Sequence, residues 1–512
     1  MSTNTPSEDH KPAVEPLYEA SKRIFAKKAQ GQFRNFKWVV LWVTLGIYFG
    51  LPWLRWDRGE FAPDQGILLD LAGRRFYFFP IEIWPQEFYY VAGLLLMAGF
   101  GLFLITSAVG RAWCGYTCPQ TVWVDLFIAV ERFFQGDRNA RMKLDKAPMS
   151  GNKFMRLAAT HATWILMSFL TGLGWIMYFG NAPSVLVKFF TGELPFVAYG
   201  TVLVLTLTTY GFGGLMREQV CIYMCPWPRI QAAMLDEDSL VVTYNDWRGE
   251  PRTRGAKKAA AAGLPVGDCV DCDACVAVCP MGIDIREGQQ LGCITCALCI
   301  DACDQVMDKV GKERGLIAYA TLSEYQSNMD MATNNGRTGI QPQNVRDPDG
   351  KFKDRIRHFN WKVIFRPRSL LYMGAWSAVG LGMLVVLLNR DRLDLNVVHD
   401  RNPQYVMESD GSVRNGYTIR ILNMEPQPRT IRLSVEGLPS AAMKINGIAP
   451  TEGQSYDIPV KPDEATALKV FVTLPKGQAN WASEEFHFIA EDMTIGERSV
   501  YKAAFNGPGV KK

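Results

Sequence analysis

The feature that most constrains the fold is a series of five long apolar segments separated by polar stretches. A helix needs about 20 residues to cross the ~30 Å hydrocarbon core of a bilayer. Each segment approaches that length without Asp, Glu, Lys or Arg in its central part, so membrane spans are favoured over buried helices of a soluble core. The predicted spans are 36–54, 88–109, 157–179, 196–216 and 370–388.

The distribution of Lys and Arg predicts the orientation. Basic residues are concentrated before the first span, after the second and before the fifth, whereas the loop between the third and fourth holds only Lys188. Cytoplasmic loops carry the excess of basic residues, so we expect a cytoplasmic N-terminus, a first span that stays as an anchor and, after five crossings, a C-terminus outside. All twelve cysteines then face the cytoplasm. A net charge of only +4 gives no case for nucleic-acid binding.

Eight cysteines form two tandem runs with the spacing C-x2-C-x2-C-x3-C, the second carrying Asp304 where the first has Pro280. This spacing is typical of [4Fe–4S] clusters, and in two-cluster ferredoxins the fourth cysteine of each run ligates the other cluster. The predicted ligands are Cys269, Cys272, Cys275 and Cys303 for cluster one, and Cys293, Cys296, Cys299 and Cys279 for cluster two. Two zinc sites are the alternative, although zinc ribbons pair C-x2-C knuckles across a longer gap.

The other four cysteines form two copies of a Cys-x-Tyr-x-Cys-Pro motif, each following an even-numbered span: Cys114 and Cys118 in one, Cys221 and Cys225 in the other. If the span helix continued through the motif, both thiols would lie on one face, and Pro119 and Pro226 would end that helix or open the next. Thiolates suit cuprous copper. Pooled, the pairs could hold copper, zinc or a third iron–sulfur cluster, and four inert buried thiols are the alternative.

The histidines exclude several cofactors. Only His161 lies in a span, so the chain cannot supply two axial ligands to a transmembrane haem, and we expect His161 to be a packed or hydrogen-bonded residue. No C-x-x-C-H motif is present for a c-type haem, and no G-x-G-x-x-G has the strand–turn–helix setting of a dinucleotide site. The electron donor, cytosolic or a quinol, must therefore be external.

The sequence after about residue 395 changes to a period-two pattern, as in 417–422, 430–435 and 467–474. Several short strands within about 120 residues predict a β-sandwich. The predicted domains are a cytoplasmic tail at 1–35, a four-span region at 36–216, a cytoplasmic segment at 217–369 with the ferredoxin module at about 265–310, the fifth span at 370–388, and an extracytoplasmic sandwich at 390–512.

These features together resemble the cytochrome c oxidase accessory protein family known as CcoG, FixG or RdxA. The resemblance rests on five spans, CGYTCP and CIYMCPWP, tandem ferredoxin runs and the C-terminal sandwich, and CIDACDQVMDKVGKERGLIAY is similar to that family's second run, Asp304 included. It implies an immunoglobulin-like outer domain. It also implies a role in assembling a bacterial cbb-type haem–copper oxidase, by reducing cupric to cuprous ions.

That resemblance makes Cys114, Cys118, Cys221 and Cys225 candidate copper-handling residues. The leading hypothesis is an inner-membrane iron–sulfur protein that passes electrons to copper, working with oxidase assembly factors and a copper transporter or chaperone. Two alternatives remain: a quinol-linked electron-relay subunit of a respiratory reductase system, and a redox scaffold without turnover.

Overall fold

The computed structural model describes residues 23–509 except 256–257, 259–260, 350, 354–355, 357–364, 426, 452–453 and 463. Five of its helices are long and apolar enough to cross a membrane: Gln32–Trp53, Pro85–Val109, Gly151–Phe179, Phe196–Met216 and Pro367–Leu388. All five predicted spans are confirmed. Four begin earlier than predicted, because polar residues in their first turns lower the local hydropathy without interrupting the helix. Most of the predicted N-terminal tail lies outside the described residues.

The regular elements are as follows. The α-helices are Gln32–Gly50, Tyr89–Val109, Ala112–Tyr116, Pro119–Gln135, Arg138–Lys146, Gly151–Ile176, Ala182–Thr191, Phe196–Thr209, Trp227–Met234, Asp246–Gly249, Ala274–Val278, Leu298–Val310, Leu322–Ala332 and Pro367–Leu388, and π-helical turns cover Tyr210–Met216 and Val220–Met224. The strands are β1 Ile67–Asp70, β2 Arg75–Phe78, β3 Ile81–Ile83, β4 Val241–Tyr244, β5 Ile317–Ala320, β6 Leu393–His399, β7 Val406–Met407, β8 Val413–Asn423, β9 Arg429–Glu436, β10 Ala442–Ile445, β11 Tyr456–Val460, β12 Glu464–Leu474, β13 Ser483–Asp492 and β14 Arg498–Asn506.

The chain forms two compact units. Among the described residues, the first unit comprises parts of 23–44, 102–170 and 204–370, and the second comprises 45–101, 171–203 and 371–509. Every cysteine lies in the first unit.

The ferredoxin module within the first unit is built from the two cysteine runs and the short antiparallel pair β4–β5. The helices Ala274–Val278 and Leu298–Val310 begin within the two runs, directly before Cys275 and Cys299. Val242 of β4, Ile317 of β5 and Met307 are buried with the cysteines in one core. Burial of these apolar side chains stabilises the module and surrounds its thiols with a low-dielectric shell.

A buried ion cluster joins the start of the first span to the helix Pro119–Gln135. The Nη1 atom of Arg34 donates to both carboxylate oxygens of Asp125 at 2.8 Å, and the Nζ atom of Lys37 lies 3.7 Å from the same carboxylate. Burial alone would raise the pKa of Asp125, but Lys37 and Arg34 hold it below its ordinary value. The charges at the entrance of the first span are therefore paired within the protein.

The predicted C-terminal sandwich is confirmed. One sheet has the order β10-β12-β8-β6, with β7 paired to β8, and the other has the order β11-β9-β13-β14. Alternate residues of β8 (Tyr417, Ile419 and Ile421) are fully buried, as are Phe486 and Phe488 of β13, because successive strand residues point to opposite faces. The three predicted strands lie within β8, β9 and β12.

A small sheet of order β1-β2-β3 lies between the first two spans and was not predicted. Its strands have only three or four residues, too few to give a readable period-two pattern. The Arg58 guanidinium donates to the backbone carbonyls of Pro63, Gln65 and Gly66 nearby, so a side chain stabilises this loop where the ladder is short.

Candidate metal centres

The two cysteine runs fold as structural repeats. In the first run Asp271 and Asp273 have φ values of 51° and 56°, and in the second Thr295 and Ala297 have φ values of 50° and 58°. These residues flank the middle cysteine of each run at matching positions. A left-handed conformation costs a non-glycine residue of the order of 1 kcal/mol and persists only where the surroundings require it. Its exact repetition in both runs therefore marks a turn needed to bring the cysteines of a run together.

The fourth cysteine of the second run lies among the first three of the first run. Burial raises the pKa of the Cys303 thiol to about 12, and the neighbouring thiols of Cys275, Cys269 and Cys272 contribute in the same direction. Burial likewise raises the pKa of Cys275 to about 11.

The reciprocal relation holds for the fourth cysteine of the first run. Burial, followed by the nearby Cys296 thiol, raises the pKa of Cys279 to about 12, and Cys293 acts in the same sense. A mainly apolar cavity lies among these thiols, and its walls include Cys275, Cys279, Cys293, Cys296 and Cys299. Such thiols stay protonated at neutral pH and release their protons on metal binding.

The donor set fits iron–sulfur clusters. Each group offers four thiols, and the buried side chains of Val278, Ile285 and Ile300 lie around them.

The two Cys-x-Tyr-x-Cys-Pro motifs bring their thiols together into one region, here called the four-thiol site (Cys114, Cys118, Cys221 and Cys225). Burial raises the pKa of Cys221 to about 12, and the Cys118, Cys114 and Cys225 thiols add to the shift. Burial raises the pKa of Cys114 to about 11, although the nearby Arg111 opposes the rise. The two motifs, about a hundred residues apart in sequence, thus contribute to one site.

A helix that continues from the span through both thiols of a motif is not observed. The second span ends at Val109 because Gly110 has a φ of 63°, and a Cβ there would lie 2.1 Å from the Leu240 carbonyl oxygen. The fourth span ends in a π-helical turn, after which Arg217 has a φ of 44°. The condition for one shared helical face, a span helix that continues through the motif, is therefore not met.

The prolines act as the sequence indicates. Pro119 opens the helix Pro119–Gln135, and Pro226 directly precedes the helix Trp227–Met234. Proline suits the first turn of a helix, where no N–H partner is needed. Each motif therefore places its second cysteine, Cys118 or Cys225, at the junction before a new helix.

The first motif packs directly against the second ferredoxin run. A Cβ added to Gly115 would lie 2.7 Å from the Ile294 carbonyl oxygen and 3.1 Å from the Cys296 Cα atom. The adjacent Tyr116 hydroxyl donates to the Cys296 carbonyl oxygen at 3.2 Å. Only glycine allows this approach, so the four-thiol site and the second run are in backbone contact.

Two polar residues at these sites were not predicted. The Cys114 thiol donates to Gln231 Oε1 at 2.9 Å, and Gln231 is fully buried. Asp301, between two cysteines of the second run, accepts from the backbone N–H groups of Phe33 and Arg34. A polar residue on an amphipathic stretch is the signal in both cases, but the sequence does not identify its partner.

His161 is a packed and hydrogen-bonded residue, as expected. Its Nδ1 atom lies 3.0 Å from the Tyr210 hydroxyl, and its ring meets the Trp164 ring edge to face at 5.1 Å between centroids.

The spans, the ferredoxin runs and the sandwich define a membrane-bound ferredoxin with an immunoglobulin-like domain. Residues 216–322 match a family described as "4Fe-4S dicluster domain", and residues 91–137 match one described as "4Fe-4S binding domain". Residues 383–508 match the "IG-like fold at C-terminal of FixG".

Full-length relatives agree. "Nitrogen fixation protein FixG" of Rhizobium meliloti is 66% identical over 96% of this chain and 94% of its own length. RdxB and RdxA of Cereibacter sphaeroides are 48% and 46% identical over 96% of this chain and 98% and 99% of their lengths. A crystal structure of a FixG-related protein from Vibrio parahaemolyticus matches 23% of this chain and 99% of that chain, at 23% identity and a TM-score of 0.20. The chain belongs to the FixG/RdxA family of membrane ferredoxins.

Proposed function

We propose that this protein is an inner-membrane electron-transfer protein that reduces cupric ions to cuprous ions for the copper centre of a cbb-type oxidase. One observation carries the proposal: the backbone contact between Gly115, beside Cys114, and Cys296 of the second ferredoxin run. An electron held at that run would therefore have a short route to the four-thiol site. The route crosses the contact between Cys296 and Gly115 and then follows the chain to Cys114.

The crossed arrangement of the thiols supports the ligand assignment. The first three cysteines of the first run together with Cys303 would hold cluster one, and the first three of the second run together with Cys279 would hold cluster two. Bound clusters supply one-electron storage at this position. The chain's own contribution is to exclude water from the thiols, through Val278 and Ile300, and to hold the two sets adjacent.

Copper is the proposed substrate of the four-thiol site. Thiolates prefer the cuprous state, so binding there favours the reaction in which Cu²⁺ takes up one electron and becomes Cu⁺. Burial keeps the Cys114 and Cys221 thiols protonated until a metal displaces the proton. The Gln231 amide, bonded to the Cys114 thiol, fixes the position of that sulfur.

A third iron–sulfur cluster at the four-thiol site is the second candidate. The match of residues 91–137 to a 4Fe–4S binding family favours it, because that range contains Cys114 and Cys118. In that case the site extends the electron route, and copper is reduced elsewhere. Iron counting separates the two, since two clusters require about eight irons per chain and three about twelve.

The proposed orientation places the ferredoxin module in the cytoplasm and the immunoglobulin-like domain in the periplasm, in line with the basic residues flanking the spans. Cuprous ion would then pass to a copper transporter or chaperone and to the oxidase assembly factors. The name of the Rhizobium meliloti relative places that relative in nitrogen fixation.

The test is cupric reduction by purified protein that has been reduced anaerobically with dithionite and freed of excess reductant. Cys114→Ala combined with Cys221→Ala should abolish cuprous-ion formation, detected with a Cu(I)-specific chelator, while the iron content stays constant. Thr117→Ala is the matched control, because this residue lies within the first motif and its hydroxyl bonds only locally to the Trp113 carbonyl oxygen. Undiminished reduction by the double variant would remove the four-thiol site from the reaction.

A further inference from the structure

Another cavity, which is polar, lies in the first unit, apart from the ferredoxin thiols. It has a volume of about 350 Å³, within the range of small-molecule sites. Its walls include Leu157, His161 and Trp164 of the third span, Gly214 and Leu215 at the end of the fourth span, and Arg217 and Glu218 just after it. They are completed by Arg23 before the first span and by Glu131 of the helix Pro119–Gln135. The ends of two spans therefore form part of its walls.

The walls of this cavity are held by buried hydrogen bonds. The Trp164 indole donates to the Phe127 carbonyl oxygen at 3.1 Å. The Arg217 guanidinium donates to the Gly214 carbonyl oxygen at 2.8 Å and pairs with Glu131, which is completely buried. Side chains fixed in this way are pre-organised for a ligand.

The backbone at the cavity is unusual in two respects. The fourth span changes from α-helix to a π-helical turn over Tyr210–Met216, and such turns occur frequently at functional sites. Arg217, directly after it, has a φ of 44°, a strained conformation for a residue with a side chain. The strained residue is thus part of the cavity wall and lies four residues before Cys221 in the sequence.

Two proton acceptors lie on different walls. The Tyr210 hydroxyl is bonded to Nδ1 of His161, which leaves Nε2 at the opposite edge of the imidazole ring. Glu218 lies on the segment after the fourth span, and burial raises the pKa of its carboxyl group. The charged residues of the walls are Arg23, Arg217, Glu131 and Glu218, two of each sign.

We propose that this cavity binds a membrane quinol and that the quinol is the electron donor of the protein. Leu157, Leu215 and Trp164 supply apolar contacts for the ring and the start of the isoprenoid tail. His161 and Glu218 accept the hydrogen bonds of the two hydroxyl groups. This inference rests on the proposed function, because it names the donor for the same electron route.

The reaction balances without a further reactant. One quinol loses two protons and two electrons and becomes the quinone. The protons would pass to His161 and Glu218, and two oxidised clusters held by the eight ferredoxin cysteines would accept one electron each.

The cavity shares two wall residues with a smaller cavity that Cys221 lines. Arg217 and Glu218 also line this smaller cavity, whose other walls include Cys221, Met281 and Ile294. Met281 and Ile294 lie within two residues of Cys279 and Cys293 in sequence. Packed side chains therefore connect the proposed quinol cavity to both the four-thiol site and the second cluster.

The experiment mixes the oxidised full-length protein with decylubiquinol under anaerobic conditions and follows cluster reduction by visible bleaching and EPR. Decylubiquinol should reduce the clusters, and His161→Gln and Glu218→Gln should each slow that reduction by about a hundredfold. Reduction by dithionite should be unchanged in both variants. His487→Gln in the sandwich and Glu193→Gln between the third and fourth spans are the matched controls and should behave like the wild type.

Binding is measured separately with an azido-quinone photolabel and peptide mapping, a readout that does not depend on electron transfer. Label on peptides containing His161 or Arg217, displaced by decylubiquinone, supports the inference. If phosphatidylglycerol displaces the label and decylubiquinone does not, the cavity is a lipid site and the inference is overturned. Reduction of the clusters by dithionite but not by decylubiquinol would also overturn the quinol inference. The proposed cupric reduction would still stand after that result. Failure of dithionite-reduced protein to reduce cupric ions would instead refute the proposed function.

Discussion

Asp301 connects the ferredoxin module to the first span. Its buried carboxylate accepts from the backbone N–H of Phe33 at 3.2 Å and of Arg34 at 2.8 Å, in the first turn of the helix Gln32–Gly50. Gly31 permits the approach, since a Cβ there would lie 2.3 Å from the Asp301 Cγ atom. The second cysteine run therefore caps a membrane helix.

The size of this contribution can be worked out from the two bonds. A hydrogen bond to a charged group contributes about 1.5–3 kcal/mol, and a negative charge at a helix N-terminus adds about 0.3–1 kcal/mol. Water entering the Asp301→Ala variant recovers part of the sum, so we expect a net loss of about 3 kcal/mol. For a unit of this size that loss corresponds to a fall in Tm of roughly 6–12 °C. Asp301→Asn keeps one acceptor and should lose about half as much.

Thermal unfolding in detergent, followed by tryptophan fluorescence and by the visible cluster absorbance, measures the effect. Asp308→Ala is the control on the same helix, because its partner Arg314 is largely exposed and a solvent-screened surface ion pair contributes little to stability. If Asp301→Ala unfolded at the same temperature as the Asp308→Ala control, the proposed cap would be refuted.

Three further predictions concern the metal centres and their support. Gly115→Ala should slow cupric reduction without loss of iron, as its Cβ would lie 2.7 Å from the Ile294 carbonyl oxygen; rate and iron content are measured together. Cys303→Ser and Cys279→Ser should each remove about half of the dithionite-induced EPR spins, because each replaces a ligand of a different cluster. Asp125→Asn should lower the free energy of unfolding by about 3–5 kcal/mol near neutral pH. Since the pKa of this carboxyl is lowered in the folded protein, its contribution is present above the ordinary carboxyl pKa and disappears as the pH falls through the lowered value, so urea unfolding of variant and wild type should converge in acid.

The spans and the ferredoxin runs could be predicted because each is encoded locally. A run of about 20 apolar residues has few alternatives to a span, and the C-x2-C-x2-C-x3-C spacing specifies a cluster loop by itself. The sandwich could be predicted in outline, since Tyr417, Ile419 and Ile421 show the period of two on which strands depend. The β1-β2-β3 sheet could not, because its strands are shorter than that pattern requires.

The sequence did not reveal which distant groups pair. Asp125 with Arg34, and Glu131 with Arg141 and Arg217, are charges whose partners lie on other segments. Composition shows that they are present, but only the folded chain shows that they neutralise one another. The same applies to the four-thiol site, where the repeated motif indicated pooling but the helix break at Gly110 was not expected.

Metal analysis of anaerobically purified protein tests the central claim most directly, combined with EPR spectroscopy after dithionite treatment. The account predicts about eight iron and eight sulfide per chain, or about twelve of each with a third cluster, with signals from reduced [4Fe–4S] centres. A colourless protein that contains zinc and gives no EPR signal on reduction would contradict it.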